Sequence, residues 1–159
     1  MTNSIGEIKD VQTLFLIGAN PTEAHPIIGL EMKKALRRGA KLVVCDPRKT
    51  WMAQRADVHI QHRAGTDNFL INAMMNHILQ NGLHNEEFVR DRCENFAALK
   101  ENVRNYSLEE ASRVCGVDAV LIRRAAEMYA TGNPSAKWSR RSSIPPPDWS
   151  RCWPFWRSC

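Results

Sequence analysis

Three short clusters in this 159-residue chain gather side chains that could hold a nucleotide. The first is Gly18, Ala19, Asn20, Pro21, Thr22 and Glu23, which follow the apolar run Thr13–Ile17 and precede Pro26. Gly18 and Asn20 suit a tight turn that brings backbone N–H groups against a phosphate or pyrophosphate. Thr22 adds a hydroxyl donor, and a helix starting at Pro26 would favour negative charge at its N-terminus. The second cluster, Asp46, Pro47, Arg48, Lys49 and Thr50, follows the apolar run Lys41–Cys45. Its carboxylate stands where a dinucleotide-binding sheet places a ribose contact, and its cations and hydroxyl suit phosphate or a ring edge. The third is Gly65, Thr66 and Asp67, whose carboxylate accepts two hydrogen bonds and so matches the N1–H and N2 amine of guanine. Each cluster also has an ordinary reading. The first is a plain βα turn, Asp46-Pro47 another turn, and Asp67 a helix N-cap. The G-x-G-x-x-G and Walker A patterns are absent, so a standard NAD or ATP site is not indicated.

The elements around the clusters decide between these readings. Residues 13–17 and 41–45 are short apolar runs of the kind that form buried parallel strands, and Asp57-Val-His-Ile-Gln61 is read as a third strand. Residues 26–38 form an amphipathic helix with Ile28, Met32 and Ala35 inward and Gly39 as its stop. A short helix is expected at 2–11, capped by Asn3 or Ser4 with Ile5 and Ile8 inward, and another at 51–56. A helix over 68–80 follows the third strand. Strand–helix alternation at this spacing predicts right-handed crossovers and an α/β fold with a doubly wound, mainly parallel sheet. Such sheets bind ligands beyond the carboxyl ends of their strands, where all three clusters fall. That convergence is the functional signal.

From about residue 85 the chain reads as helical, with segments at 85–92, 95–105, 107–115 and 118–130 and a capping box at Ser107 to Glu110. Phe88, Phe96, Leu99, Val103, Tyr106, Leu121 and Tyr129 are core candidates, and His77 and His84 lack partners at metal-binding spacing.

Apolar and charged fractions of 43% and 25% are those of a globular domain. No apolar run is long enough for a membrane helix, and the N-terminus lacks the features of a signal peptide. The net charge of +5 is concentrated, since residues 137–159 supply +4 and the body is nearly neutral; a nucleic-acid partner is therefore set aside. Cys45, Cys93, Cys115, Cys152 and Cys159 match no zinc or iron–sulfur spacing, and a reducing cytoplasm is the default location. Composition changes after Gly132. Residues 137–159 hold four of the five tryptophans and the run Ser143-Ile-Pro-Pro-Pro147, and read as an irregular tail outside the packed sheet.

The segments Ile17-Gly-Ala-Asn-Pro-Thr-Glu-Ala-His-Pro26, Val44-Cys-Asp-Pro-Arg-Lys-Thr50 and Arg63-Ala-Gly-Thr-Asp67, with Ala56-Asp57 before the last, resemble the molybdopterin oxidoreductases of the DMSO reductase family. Residues 1–8 further resemble its formate dehydrogenase branch, and the resemblance runs from residue 1 to about 136. It implies a Rossmann-like nucleotide-binding domain and a bis-molybdopterin guanine dinucleotide cofactor carrying molybdenum or tungsten. By that likeness Gly18 to Glu23 would wrap one diphosphate, Asp46 to Thr50 its ribose side, and Gly65 to Asp67 its guanine. The implied reaction is two-electron oxidation of formate to CO2, with the rest of an alpha subunit and electron-transfer subunits as partners.

The family's 4Fe–4S cysteine cluster and its metal-bound cysteine or selenocysteine followed by histidine have no counterpart in these residues. The chain is therefore expected to be an internal piece, residues 1–136, followed by a tail translated in a shifted reading frame. On its own it should hold no stoichiometric molybdenum, tungsten or iron and reduce no dye with formate. A stand-alone guanine-nucleotide or cofactor-binding module is the alternative.

Overall fold

Short runs of β-branched, leucine and aromatic residues can fill both faces of a sheet, and here they do. The computed structural model describes residues 5–132 and 135–139. Strands β1 (Thr13–Ile17), β2 (Lys41–Cys45), β3 (Val58–Ile60) and β4 (Ser135–Ser139) form one sheet in the order β3-β2-β1-β4. Every pairing is parallel, with Thr13 opposite Lys41 on one side and Ser135 on the other.

Side chains alternate across this sheet with period two. Phe15, Ile17, Val43, Cys45, Val58 and Ile60 enter one core, beneath α3 (Asp67–Gln80), α5 (Phe96–Val103), α6 (Leu108–Cys115) and α7 (Ala119–Thr131). Leu14, Leu16, Leu42 and Val44 enter the other, beneath α2 (Pro26–Arg37), the 3-10 turn Ile5–Asp10 and Met52-Ala53. Leu14, Ile17, Leu42 and Ile60 are wholly buried, each contributing roughly 1.5–3 kcal/mol of transfer free energy.

Connections from β1 to β2 and β2 to β3 step one way across the sheet. The long return from β3 to β4 steps the other way. Right-handed crossovers in opposite directions must use opposite faces, which separates α2 from α3 to α7 and makes the sheet doubly wound, as expected. Three of the later helices carry side-chain caps, the Ser107 cap among them as its sequence predicts. Asn85 accepts from Phe88 N at the start of α4 (Glu86–Arg92), Ser107 from Glu110 N and Asp118 from Val120 N, at 2.9, 3.1 and 2.8 Å.

β4 runs across residue 136, where the resemblance was expected to end and the tail to begin. Lys137, Trp138 and Ser139 pair with Phe15, Leu16 and Ile17 and belong to the sheet. Parallel pairing is made by backbone groups, so an added strand needs no apolar alternation of its own. The remainder of the expected tail, residues 140–159, lies outside the described residues.

Candidate functional site

The first cluster begins at the last ladder bond, Gly18 N to Cys45 O at 2.9 Å, where Gly18 turns the chain with φ 56°. The turn does not lead straight into the Pro26 helix as expected. A four-residue helix, α1 (Pro21–Ala24), intervenes and closes with His25 N on Pro21 O at 3.1 Å. Two prolines cause this. Pro21 has its φ preset for a first helical turn, and Pro26, lacking an N–H, ends that turn and starts α2.

Four residues sum to little macrodipole, so attraction for an anion rests instead on loop donors. Among the described residues the N–H groups of Ala19, Asn20 and Thr22 have no acceptor. The Thr22 hydroxyl donates to Asn20 Oδ1, which leaves the Asn20 amide NH2 as a further donor. Pro21 is buried and Glu23 exposed. Gly29 of α2 permits this packing, since a Cβ there would lie 3.0 Å from Pro21 O and 3.2 Å from Thr22 Cα.

At the end of β2 the Asp46 carboxylate is 2% exposed and occupied. Oδ1 accepts from Arg48 N at 2.8 Å and Arg48 Nε at 3.1 Å, while Oδ2 accepts from Arg48 Nη2 at 3.1 Å. Burial pushes the Asp46 carboxyl up, but the hydrogen bonds and charge of Arg48 outweigh it and hold the group below the usual carboxylate range. The group on the surface is thus Arg48, whose side chain is 60% exposed, with Asp46 as its anchor. The Pro47 carbonyl accepts from Gln61 Nε2, and Lys49 is exposed. Thr50 Oγ1 accepts from Ala53 N at 3.2 Å, closing the turn before the 3-10 helix Ala53–Arg55.

Beyond β3, Gly65 turns with φ 83° and Thr66 takes the cap position of α3, its hydroxyl donating to Arg63 O at 2.7 Å. Asp67 is the first residue of α3, one-quarter exposed, and does not serve as the N-cap. Its Oδ1 accepts from Nε2 of His62 at 2.9 Å, and its Oδ2 makes no hydrogen bond among the described residues. His62 is buried and was not singled out from the sequence. The inward period of Val58 and Ile60, continued by two residues, would have found it. His59 Nε2 donates to Asp46 O at 2.9 Å and ties the second loop to β3.

The three loops therefore share one sheet edge and act on one another. The Glu23 charge reaches Arg48, and the His62 ring reaches Asp46. At the opposite edge a cleft of about 550 Å³ is lined by Lys9, Asp10, Arg38 and Lys41, but its cations are already paired. Among the described residues no group of three or more His, Cys, Asp or Glu side chains could hold a metal ion.

Comparison with known proteins identifies the family and the fold. The family model described as molybdopterin oxidoreductase matches residues 1–144. The chain is 43% identical over 129 residues to the alpha subunit of a formate dehydrogenase of Methanocaldococcus jannaschii, covering 81% of this chain and 19% of that protein. It is 40% identical over 136 residues to formate dehydrogenase H of Escherichia coli, covering 86% and 19%. The solved structure of acetylene hydratase from Pelobacter acetylenicus superposes with a TM-score of 0.75 at 35% identity, covering 84% of this chain and 20% of that one. The chain thus spans about a fifth of the length of these relatives. Matched over most of its length by the family model, and carrying the strand-end loops on a doubly wound parallel sheet, this chain belongs to the molybdopterin oxidoreductase family.

Proposed function

We propose that this chain holds the guanine dinucleotide arm of a molybdopterin cofactor, as part of a formate dehydrogenase that converts formate to CO2. The observation that carries the reading is Asp67. Its carboxylate is held at the carboxyl edge by His62 with Oδ2 unbonded among the described residues, at the same sheet edge as an exposed Arg48 and the donor-rich loop after β1. A fixed carboxylate matches the two donors on the guanine edge, and a guanidinium matches a diphosphate.

In this reading the residues fit the cofactor unequally. The donors of Ala19, Asn20 and Thr22 take one diphosphate in the turn set by Gly18 and Pro21, Glu23 bears on Arg48, and Arg48 to Lys49 supply positive charge. Gly65 and Thr66 place Asp67 against the base. Asp46, Pro47 and Thr50 act on the cofactor indirectly, because Asp46 is engaged by Arg48 and Thr50 by Ala53. When bound, the molybdenum or tungsten of the cofactor would supply the two-electron chemistry. The chain itself binds and orients one arm.

Formate as substrate is supported by identities of 43% and 40% to formate dehydrogenases, although a curated acetylene hydratase of Syntrophotalea acetylenica shares 39% and a Bacillus subtilis assimilatory nitrate reductase 32%. The remainder of an alpha subunit, its 4Fe–4S cluster and electron-transfer subunits complete the enzyme in this proposal, and the 159-residue chain alone does not turn over formate. Among the described residues no helix is long and apolar enough to cross a membrane, and the cytoplasm is the proposed location.

Calorimetry with GDP and ADP tests the nucleotide reading directly. GDP is expected to bind more tightly, and Asp67→Asn to cost about 1.5–3 kcal/mol of GDP affinity, the range for a hydrogen bond to a charged group. Equal binding of the two nucleotides, before and after the substitution, refutes the assignment. Formate-dependent dye reduction by the purified chain would refute its proposed dependence on the remaining parts.

A further inference from the structure

We infer that His62 is a positioning residue for base selection, holding the Asp67 carboxylate in the orientation that reads a purine edge; this rests on the guanine reading of Asp67. Asp67 opens α3, where a carboxylate side chain exposed to water would sample several rotamers. Here one oxygen is fixed. Oδ1 accepts from His62 Nε2 at 2.9 Å, and because a carboxylate only accepts, the proton of that bond belongs to the ring. The ring itself is immobile, with a side chain 2% exposed and Nδ1 buried without a partner among the described residues.

A buried imidazole with an orphaned nitrogen is a costly choice for a core position. It is compensated at this point only by the bond to Asp67. Other groups converge around it. The His62 ring acts on the buried Asp46 carboxylate, Arg63 N donates to Cys115 O at 2.9 Å, and Cys115 Sγ lies 3.8 Å from Thr66 O, so the loop between His62 and Asp67 is pinned to α6. His62 therefore joins a rigid core to one oxygen of Asp67 and leaves Oδ2 for a ligand. An adenine, whose corresponding edge offers an acceptor at N1, would meet that fixed oxygen with a lone pair.

The test compares GDP and ADP affinities of the full chain by calorimetry, for the wild type and two substitutions. His62→Gln retains a donor at the position of Nε2. His62→Leu retains bulk and loses the donor. The GDP preference is expected to fall at least about tenfold in His62→Leu, as for a lost hydrogen bond to a charged group, and to stay near the wild-type ratio in His62→Gln. If His62→Leu does not fold, as judged by circular dichroism, His62→Asn replaces it, since its amide reaches only the Nδ1 position.

A GDP preference that survives in folded His62→Leu or His62→Asn overturns the proposal alone, as does a loss in His62→Gln equal to that in His62→Leu. A wild type with no GDP preference overturns the guanine reading and this proposal with it.

Discussion

Replacing Asp46 by asparagine tests whether this buried carboxylate works as the anchor of Arg48. The introduced amide oxygen can still accept from Arg48 N, now 2.8 Å from Oδ1. Its NH2 group would face Arg48 Nη2, donor against donor, where Oδ2 now accepts at 3.1 Å. Loss of a hydrogen bond to a charged group costs about 1.5–3 kcal/mol. Because the Arg48 side chain is 60% exposed and regains water, the lower end of that range applies, about 1.5 kcal/mol at pH 7. For a chain of this size that is a fall of roughly 3–6 °C in melting temperature.

The pH dependence gives the sharper check. The Asp46 carboxyl lies below its ordinary value of 3.8 in the folded state. A depressed carboxyl stabilises the fold fully above the unfolded value and loses that contribution as pH falls through the folded one. Urea denaturation at pH 7, 5 and 3 should therefore show a constant gap between wild type and Asp46→Asn at the first two values and a narrower one at pH 3. A gap of the same size at all three, or no gap at pH 7, would refute the reasoning.

Gly132→Ala would drive a Cβ to 2.6 Å from Thr13 Cβ and into Thr13 Oγ1, and Thr13 is only 2% exposed, so a loss of about 2–3 kcal/mol in urea denaturation is expected. Gly29→Ala meets Pro21 O at 3.0 Å but gains about 1 kcal/mol of helix preference, so the net stability change should be small while α1 shifts; unchanged GDP affinity would show that α1 is not part of the nucleotide site. A chain ending at residue 134 loses β4 and should melt below one ending at residue 139, and equal melting temperatures would mean that β4 adds nothing to the sheet.

Much of this protein was legible residue by residue. Continuous apolar runs marked β1 and β2, alternating Val58 and Ile60 marked β3, Asn85, Ser107 and Asp118 marked helix starts, and Pro26 and Gly39 bracketed α2. These signals are local, since a strand's burial and a helix's cap depend on neighbours a few positions away. The three clusters at strand ends were legible for the same reason, once the parallel sheet was inferred.

What needed the tertiary structure was every assignment made across the chain. β4 joins β1 through backbone bonds to residues more than a hundred positions away, which no apolar pattern in Ser135–Ser139 announces. Whether Asp46 faced a ligand or Arg48 was a matter of side-chain placement at the sheet edge, and the turn gave it to Arg48. His62 looked like a loop residue until the inward period of β3 carried it under Asp67. Composition and periodicity determine which elements form, because those depend on short-range sterics and burial. Which polar groups meet at their ends is decided only when the sheet closes and brings the loops to one edge.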